Sequence, residues 1–70
     1  MRFIDEDLKR LQIIERGLNY TNTNERLKIY RTELYNMLIR HNYEKIISDK
    51  VYPLLEKIRI MRRDNKRNLK

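Results

Sequence analysis

A chain of 70 residues is long enough for one small domain, and 40% apolar content with one Phe and no Trp predicts a thin core. Zero cysteines and a single histidine leave no disulfide and no Cys/His metal centre to stabilise it. We therefore expect a homodimer or a protein that docks on a larger partner.

The net charge of +7 is concentrated at one end of the chain. Residues 57–70 carry seven Lys or Arg and a single acidic residue, Asp64, so they hold +6 of that charge. A basic segment of this kind attracts acidic protein surfaces and nucleic acids.

The N-terminal segment turns acidic at Asp5 and lacks the apolar core of a signal peptide. No apolar run approaches the roughly 20 residues of a membrane span. We expect a cytoplasmic protein, in the host cytoplasm if it is viral. The abundance of Ile, Asn, Lys and Tyr is typical of AT-rich coding, as in low-GC bacteria and their mobile elements.

Apolar residues at helical spacing predict a first helix over residues 4–16. Its first turn is acidic, which favours the positive end of the helix dipole. Gly17, the only glycine, stands where a left-handed cap would end the helix. The predicted buried stripe consists of Ile4, Leu8, Leu11, Ile14 and Leu18.

Short polar residues over 19–24 predict a turn, and Asn22 followed by Glu25 has the spacing of a capping box. A second, longer helix is predicted over residues 24–46. One side of it carries Leu27, Tyr30, Leu34, Met37, Leu38 and His41, with Tyr35, Ile39 and Ile46 widening the apolar arc.

Two boundaries are open between the second and third helices. Ser48 or Asp49 can cap a new helix, which puts Pro53 in or just after its first turn, where a missing N–H costs little. Alternatively, one helix runs from residue 24 to beyond 60 and bends at Pro53. We expect the break, near residues 48–50.

No stretch alternates polar and apolar residues for long enough to form a strand, so the predicted class is all-α. The third helix should run to about Arg63, which gives one helical domain over 1–63 and a basic, frayed tail over 64–70. We expect a three-helix, hairpin-like bundle that dimerises through leftover apolar surface. The residues expected in the core or at the dimer contact are Leu27, Leu34, Leu38, Val51, Leu54, Ile58 and Met61.

The sequence carries little sign of catalysis. His41, the only histidine, falls on the apolar side of helix two and lacks the fixed partner that a catalytic base needs. No cluster of residues has metal-ligand spacing, and no Gly-rich phosphate loop is present. We predict a non-enzymatic protein with no cofactor, no metal and no small-molecule substrate.

Residues 10–31 also admit a helix–turn–helix interpretation, in which residues 21–26 open a recognition helix. The turn is long for that motif, and Ile13 occupies a place where a small residue normally lets the helices approach. A plain helix hairpin with a polar turn is therefore favoured.

The terminal helix has an apolar face and, nearly opposite, a basic face when residues are placed at 100° intervals. Arginine forks bind phosphate or carboxylate, and a neighbouring tyrosine can stack. Ile60 lies between the charges, either as an apolar anchor for a partner or packed on helix one. The predicted partner-binding residues are Tyr52, Arg59, Ile60, Arg62, Arg63, Lys66, Arg67 and Lys70.

These features predict a small regulatory or interaction protein whose basic third helix docks on an acidic surface of a larger protein. Adaptors, scaffolds and inhibitors are built on such a plan, by analogy alone. The alternative is a nucleic-acid-binding regulator that uses the same residues. A purely solvated basic face is the remaining interpretation.

Overall fold

Three helices account for most of residues 3–20 and 22–67, which are the residues that this computed structural model describes. They are α1 (Phe3–Gly17), α2 (Asn24–Arg40) and α3 (Lys45–Arg67). No strand occurs within those two ranges. The predicted all-α class is confirmed.

The helices form an elongated bundle that runs up, down and up, with extents of 47 × 18 × 16 Å. A two-pronged ion pair joins Arg10 of α1 to Glu33 of α2, with Nε and Oε2 2.8 Å apart. Near the end of α3, Asn65 donates to the backbone oxygen of Asn22, just before α2 begins. The end of α3 therefore lies beside the start of α2, so α3 returns antiparallel along it.

The core is one cluster to which every helix contributes apolar residues at spacings of three and four. Each fully buried aliphatic side chain stabilises the fold by about 1.5–3 kcal/mol relative to exposure. The seven residues expected in the core or at the dimer contact lie in this cluster or against it. Its buried members are Leu11, Ile14, Leu18, Leu27, Leu34, Met37, Leu38, Ile47, Val51, Leu54 and Ile58, and Met61 packs on them partly buried.

Asp7 fastens the start of α1 to the end of α2. Its carboxylate accepts a hydrogen bond from Nε of Arg40 at 3.1 Å and lies 2.5 Å from Nε2 of His41. The side chains of Asp7 and His41 are only 14% and 9% exposed. The expectation that His41 lacks a fixed partner is wrong, because this contact holds its ring between the two helices.

α2 ends at Arg40, six residues earlier than predicted. The backbone then enters the left-handed region at Asn42 and Tyr43, with φ of 56° and 59°. The amide of Tyr43 donates to the carbonyl of Leu38 at 2.8 Å. The amide of Asn42 donates to the carbonyl of Ile39 at 3.1 Å, and the two bonds together form a Schellman motif.

This boundary was not predicted because the apolar arc assigned to helix two continues past it. Ile39 and Ile46, which the arc placed on one helix, are both exposed. Asn is the residue other than Gly that most readily adopts a left-handed backbone conformation. Asn42 was therefore the feature of the sequence that indicated a helix end here. Both predicted alternatives, a break at 48–50 and a single helix bent at Pro53, are wrong.

Pro53 lies in the middle of α3 rather than in its first turn. The helix begins at Lys45, and its first amides, of Ile47 and Ser48, donate to the carbonyl of Glu44. Pro53 lacks the N–H that would bond to the carbonyl of Asp49. Both residues are exposed, so water can replace the missing donor.

Gly17 is the last residue of α1 and does not adopt a left-handed conformation, contrary to the predicted cap. A Cβ at this position would stand 2.5 Å from the hydroxyl oxygen of Tyr30 on α2. The Tyr30 hydroxyl therefore occupies the space that a Cβ would take, and a larger residue here would have to displace the end of that side chain.

The start of α2 is capped by Thr23, whose Oγ1 accepts from the amide of Arg26 at 3.1 Å. Asn22 instead donates from its side chain to the carbonyls of Gly17 and Tyr20, at 2.9 and 2.8 Å. The predicted Asn22–Glu25 capping box is wrong, because the Asn22 amide is used to close the α1–α2 turn.

α3 continues to Arg67, one turn beyond the predicted end at Arg63. The amide of Asn65 stabilises this turn through the backbone of Asn22 and Oδ1 of Asn24, at 2.9 and 3.1 Å. Residues 64–67 are thus helical in this structure, whereas residues 68–70 lie outside the described residues. The division into a domain over 1–63 and a flexible tail over 64–70 stays a prediction.

Replacing Asp7 with Asn should lower the free energy of unfolding by about 1–3 kcal/mol, because Arg40 and His41 lose a largely buried carboxylate. Asp5→Asn is the matched control: it removes the same charge from the same turn, at an exposed position. We expect the control to change stability by about 0.5 kcal/mol or less. Urea unfolding measures both, and equal losses would contradict the role assigned to Asp7.

Candidate partner-binding groove

One side of the α2–α3 hairpin contains an open groove of about 610 Å³. Among the described residues, those that line it belong to α2 and α3, so the described part of α1 does not cover it. Positions three, four and seven apart on a helix share a face, which places the α3 lining residues in line from Tyr52 to Arg62. The lining residues, which define the α2/α3 groove, are Arg31, Tyr35, Tyr52, Pro53, Leu55, Glu56, Ile58, Arg59 and Arg62.

The groove combines an apolar floor with tyrosine and arginine side chains. Leu55 is partly buried and Ile58 is buried, so their methyl groups belong both to the groove and to the core edge. Tyr35 and Tyr52 are 49% and 53% exposed, and each therefore offers a ring surface to a ligand. Such a mixture is suited to a ligand that has both apolar and anionic groups.

Arg59 is paired within its own helix. Its Nε donates to Oε1 of Glu56 at 3.2 Å, and its second nitrogen pairs with Oε2. The hydrogen bond from Arg59 holds the pKa of Glu56 below its usual value, and the same bond raises the pKa of Arg59. Part of the charge of Arg59 is therefore balanced within α3.

Arg62 has an unsatisfied donor at the groove. Its Nε is buried and forms no hydrogen bond within the described residues. A buried donor without an acceptor costs about 1–3 kcal/mol, and more for a charged group.

A second, smaller basic cleft adjoins the groove and is lined by Asn24, Arg62, Arg63 and Lys66. Arg62 lines both cavities, so the basic surface is continuous from Arg59 to Lys66 along α3. We call this surface, together with the α2/α3 groove, the basic face.

The predicted site residues thus fall into separate groups. Tyr52, Arg59 and Arg62 line the groove, whereas Arg63 and Lys66 line the adjoining cleft. Ile60, 38% exposed, lies outside both and is not part of the core.

The last two predicted residues are Arg67 and Lys70. Arg67 is the last residue of α3. Lys70 lies outside the described residues.

Sequence reasoning missed Arg31 and Tyr35, which complete the groove from α2. They are one helical turn apart, which was the only local signal that they share a face. Their position opposite Tyr52 and Arg59 depends on the antiparallel register of α2 and α3. That register could not be predicted because the boundary between the two helices was misplaced.

Part of the basic charge also has a structural explanation. Lys66 lies in the last turn of α3, where a cation offsets the negative end of the helix dipole. That explanation does not extend to Arg31, which lies in the middle of α2 and still faces the groove.

The fold and this surface define a small three-helix bundle with a basic, tyrosine-flanked groove. Within the described ranges, no helix is both long enough and apolar enough to span a bilayer. The chain matches no protein-family model, and no curated protein and no solved structure shows significant similarity to it.

The Glu56–Arg59 pair should make the stability of the fold depend on pH. Because the folded pKa of Glu56 is lowered, the pair stabilises the fold above the unfolded carboxyl pKa, and that contribution is lost as pH falls through the folded pKa. Glu56→Gln should therefore melt at a lower temperature than the parent at neutral pH, and the gap should close on acidification.

Thermal melts followed by circular dichroism from about pH 7 to pH 2 cover the carboxyl range. Glu44→Gln is the control, since Glu44 is exposed and forms no ion pair in the described part of the chain. A gap for Glu56→Gln that stayed constant with pH would show that the pair contributes nothing.

Proposed function

We propose that the chain is a non-enzymatic interaction or regulatory protein, acting in the cytoplasm, whose basic face docks on an acidic surface of a larger protein. An assembly adaptor, a scaffold and an inhibitor all fit this description.

The observation that carries this proposal is the convergence of arginines from two helices on one apolar groove. Arg31 of α2 joins Arg59 and Arg62 of α3 around the Leu55 and Ile58 floor. Charges that only keep a helix solvated need no concave apolar surface beside them. A groove that pairs apolar contact with guanidinium groups gives affinity from burial and orientation from charge.

The arrangement of His41 supports a non-enzymatic role. Its Nε2 is engaged by Asp7, and the ring is largely buried between α1 and the end of α2. It does not line the α2/α3 groove, so the groove draws no acid–base group from the only histidine of the chain.

A nucleic-acid partner is the second candidate, favoured by the exposed tyrosines beside the arginines. Base stacking on aromatic rings next to a positive groove is how single strands are bound without sequence preference. The Glu56 carboxylate in the same groove repels phosphate and carboxylate alike, so it does not separate the two candidates.

Reversing three exposed charges of the basic face, as Arg59→Glu/Arg63→Glu/Lys66→Glu, should weaken partner binding by about tenfold or more. The control Lys9→Glu/Arg16→Glu/Lys28→Glu changes the net charge equally at exposed positions outside the basic face. Affinity capture from the native cell, with each tagged variant at equal abundance, measures the loss. Circular dichroism verifies that both variants remain helical.

The same variants decide between the two candidates when titrated with labelled DNA and RNA, duplex and single-stranded, at about 50 and 200 mM salt. Tight binding with a steep salt slope, lost only in the basic-face variant, would replace the protein partner with nucleic acid. Equal loss of capture in both triple variants would contradict the proposal, because net charge and not this face would then drive binding.

We also propose that two copies associate through apolar surface that the bundle leaves uncovered. Ile39, Tyr43 and Ile46 are at least half exposed and lie within eight residues of one another in and beside the α2–α3 turn. Such closely spaced apolar residues on a small domain favour self-association.

Ile46→Asp should shift the chain from dimer to monomer in sedimentation velocity, because a carboxylate would be buried at the contact. Ile29→Asp, at an exposed position in the first half of α2, is the control and should leave the dimer intact. A parent protein that sediments as a monomer at all concentrations would rule the dimer out.

A further inference from the structure

We infer that the α2/α3 groove receives a single short amphipathic helix of the partner, with apolar residues toward the floor and carboxylates toward the arginines. This inference rests on the proposed protein-binding function and specifies the element that is bound.

The length of the groove fits about three helical turns. Its α3 lining extends from Tyr52 to Arg62, which is about 15 Å at 1.5 Å per residue. A helix of 10–12 residues covers that distance, with apolar anchors at positions i, i+4 and i+7 (on the order of one per turn).

The groove changes in character along its length. Because α2 and α3 are antiparallel, Tyr35 lies at the level of Tyr52 and Pro53, toward the α2–α3 turn. Arg31, Arg59 and Arg62 lie farther toward the end of α3. The bound helix therefore places its bulky apolar residues against the tyrosines and its acidic residues one to two turns away, against the arginines.

The number of groove arginines that have no ion pair fits a ligand helix with one or two carboxylates better than a nucleic-acid strand with many phosphates. Arg59 is already paired with Glu56, whereas Arg31 and Arg62 form no ion pair within the described residues. Two available guanidinium groups match one or two carboxylates. A single strand brings one negative charge per nucleotide, which is more than two guanidinium groups balance.

Glu56 also sets how tightly the groove binds. It competes with the carboxylate of the ligand for Arg59, so removing its charge should strengthen binding to an acidic helix. If the Glu56–Arg59 pair had only a structural role, Glu56→Gln would not increase the affinity. This variant therefore distinguishes the two roles.

The test is a selection from a library of 12-residue, side-chain-cross-linked helices with randomised faces, since uncross-linked helices of this length are marginal in water. Selection uses the full chain, with counter-selection against the Arg31→Glu/Arg62→Glu variant. We expect enriched peptides to carry apolar residues at i, i+4 and i+7 with Asp or Glu beside them. Amide chemical-shift changes on binding should map to Arg31, Tyr35, Tyr52 and Leu55.

For the best peptide, Arg62→Gln should weaken binding about tenfold, since it removes a charge-assisted pair, and Glu56→Gln should strengthen it several-fold. Arg26→Gln, exposed on α2 and outside the groove, and Glu44→Gln are the matched controls and should leave affinity unchanged. Failure to enrich any peptide, enrichment of basic peptides, or shifts that map elsewhere would each overturn the inference. A 12-nucleotide single strand that displaces the peptide and binds more tightly would also overturn it.

These results separate this inference from the function on which it rests. Loss of partner capture in the basic-face variant, with no peptide bound in the groove, would leave the proposed function standing and refute the helix. Peptide binding in the groove, with partner capture unaffected by charge reversal, would refute the proposed function.

Discussion

The left-handed backbone at Asn42 and Tyr43 is the constraint on which the bundle depends. It ends α2 after Arg40 and reverses the chain within four residues, so that α3 begins at Lys45 and runs back along α2. Had α2 continued to residue 46, the apolar stripe of α3 would meet a different face of α2. The groove, which needs residues of both helices side by side, would not form in its present register.

α3 contributes residues both to the core and to the basic face, because helical geometry places these two sets on different sides of the helix. Residues such as Val51 and Ile58 are buried against the other helices, while Arg59 and Arg63 of the same helix are exposed. Arg62 lies at the border between the faces. Its Nε is buried, and its side chain lines both the α2/α3 groove and the adjoining cleft. The border position concentrates charge next to apolar surface, and this is what distinguishes the groove from an ordinary solvated helix face.

The ends of the bundle are stabilised by polar side chains and not by additional core. Asp7 holds Arg40 and His41 at one end, and Asn65 holds the α1–α2 turn at the other. In a small domain with a thin core, hydrogen bonds at partly buried sites make a substantial share of the stability, because a lost partner leaves a desolvated group behind. Polar side chains such as Asn22 and Asn65 therefore stabilise the turn and the helix ends beside it.

The sequence by itself determined the helical class, the buried stripes and the basic character of α3, because helical periodicity and charge are local properties of the chain. Tyr52, Arg59 and Arg62, which the sequence predicted as partner-binding residues, line the groove, but the sequence could not supply Arg31 and Tyr35, since their position opposite α3 depends on a register set by the turn at Asn42. The partner of His41 and the close approach of Tyr30 to Gly17 were likewise decided by tertiary structure. Each brings together residues 13 to 34 positions apart, and only the packing of helices brings such residues into contact.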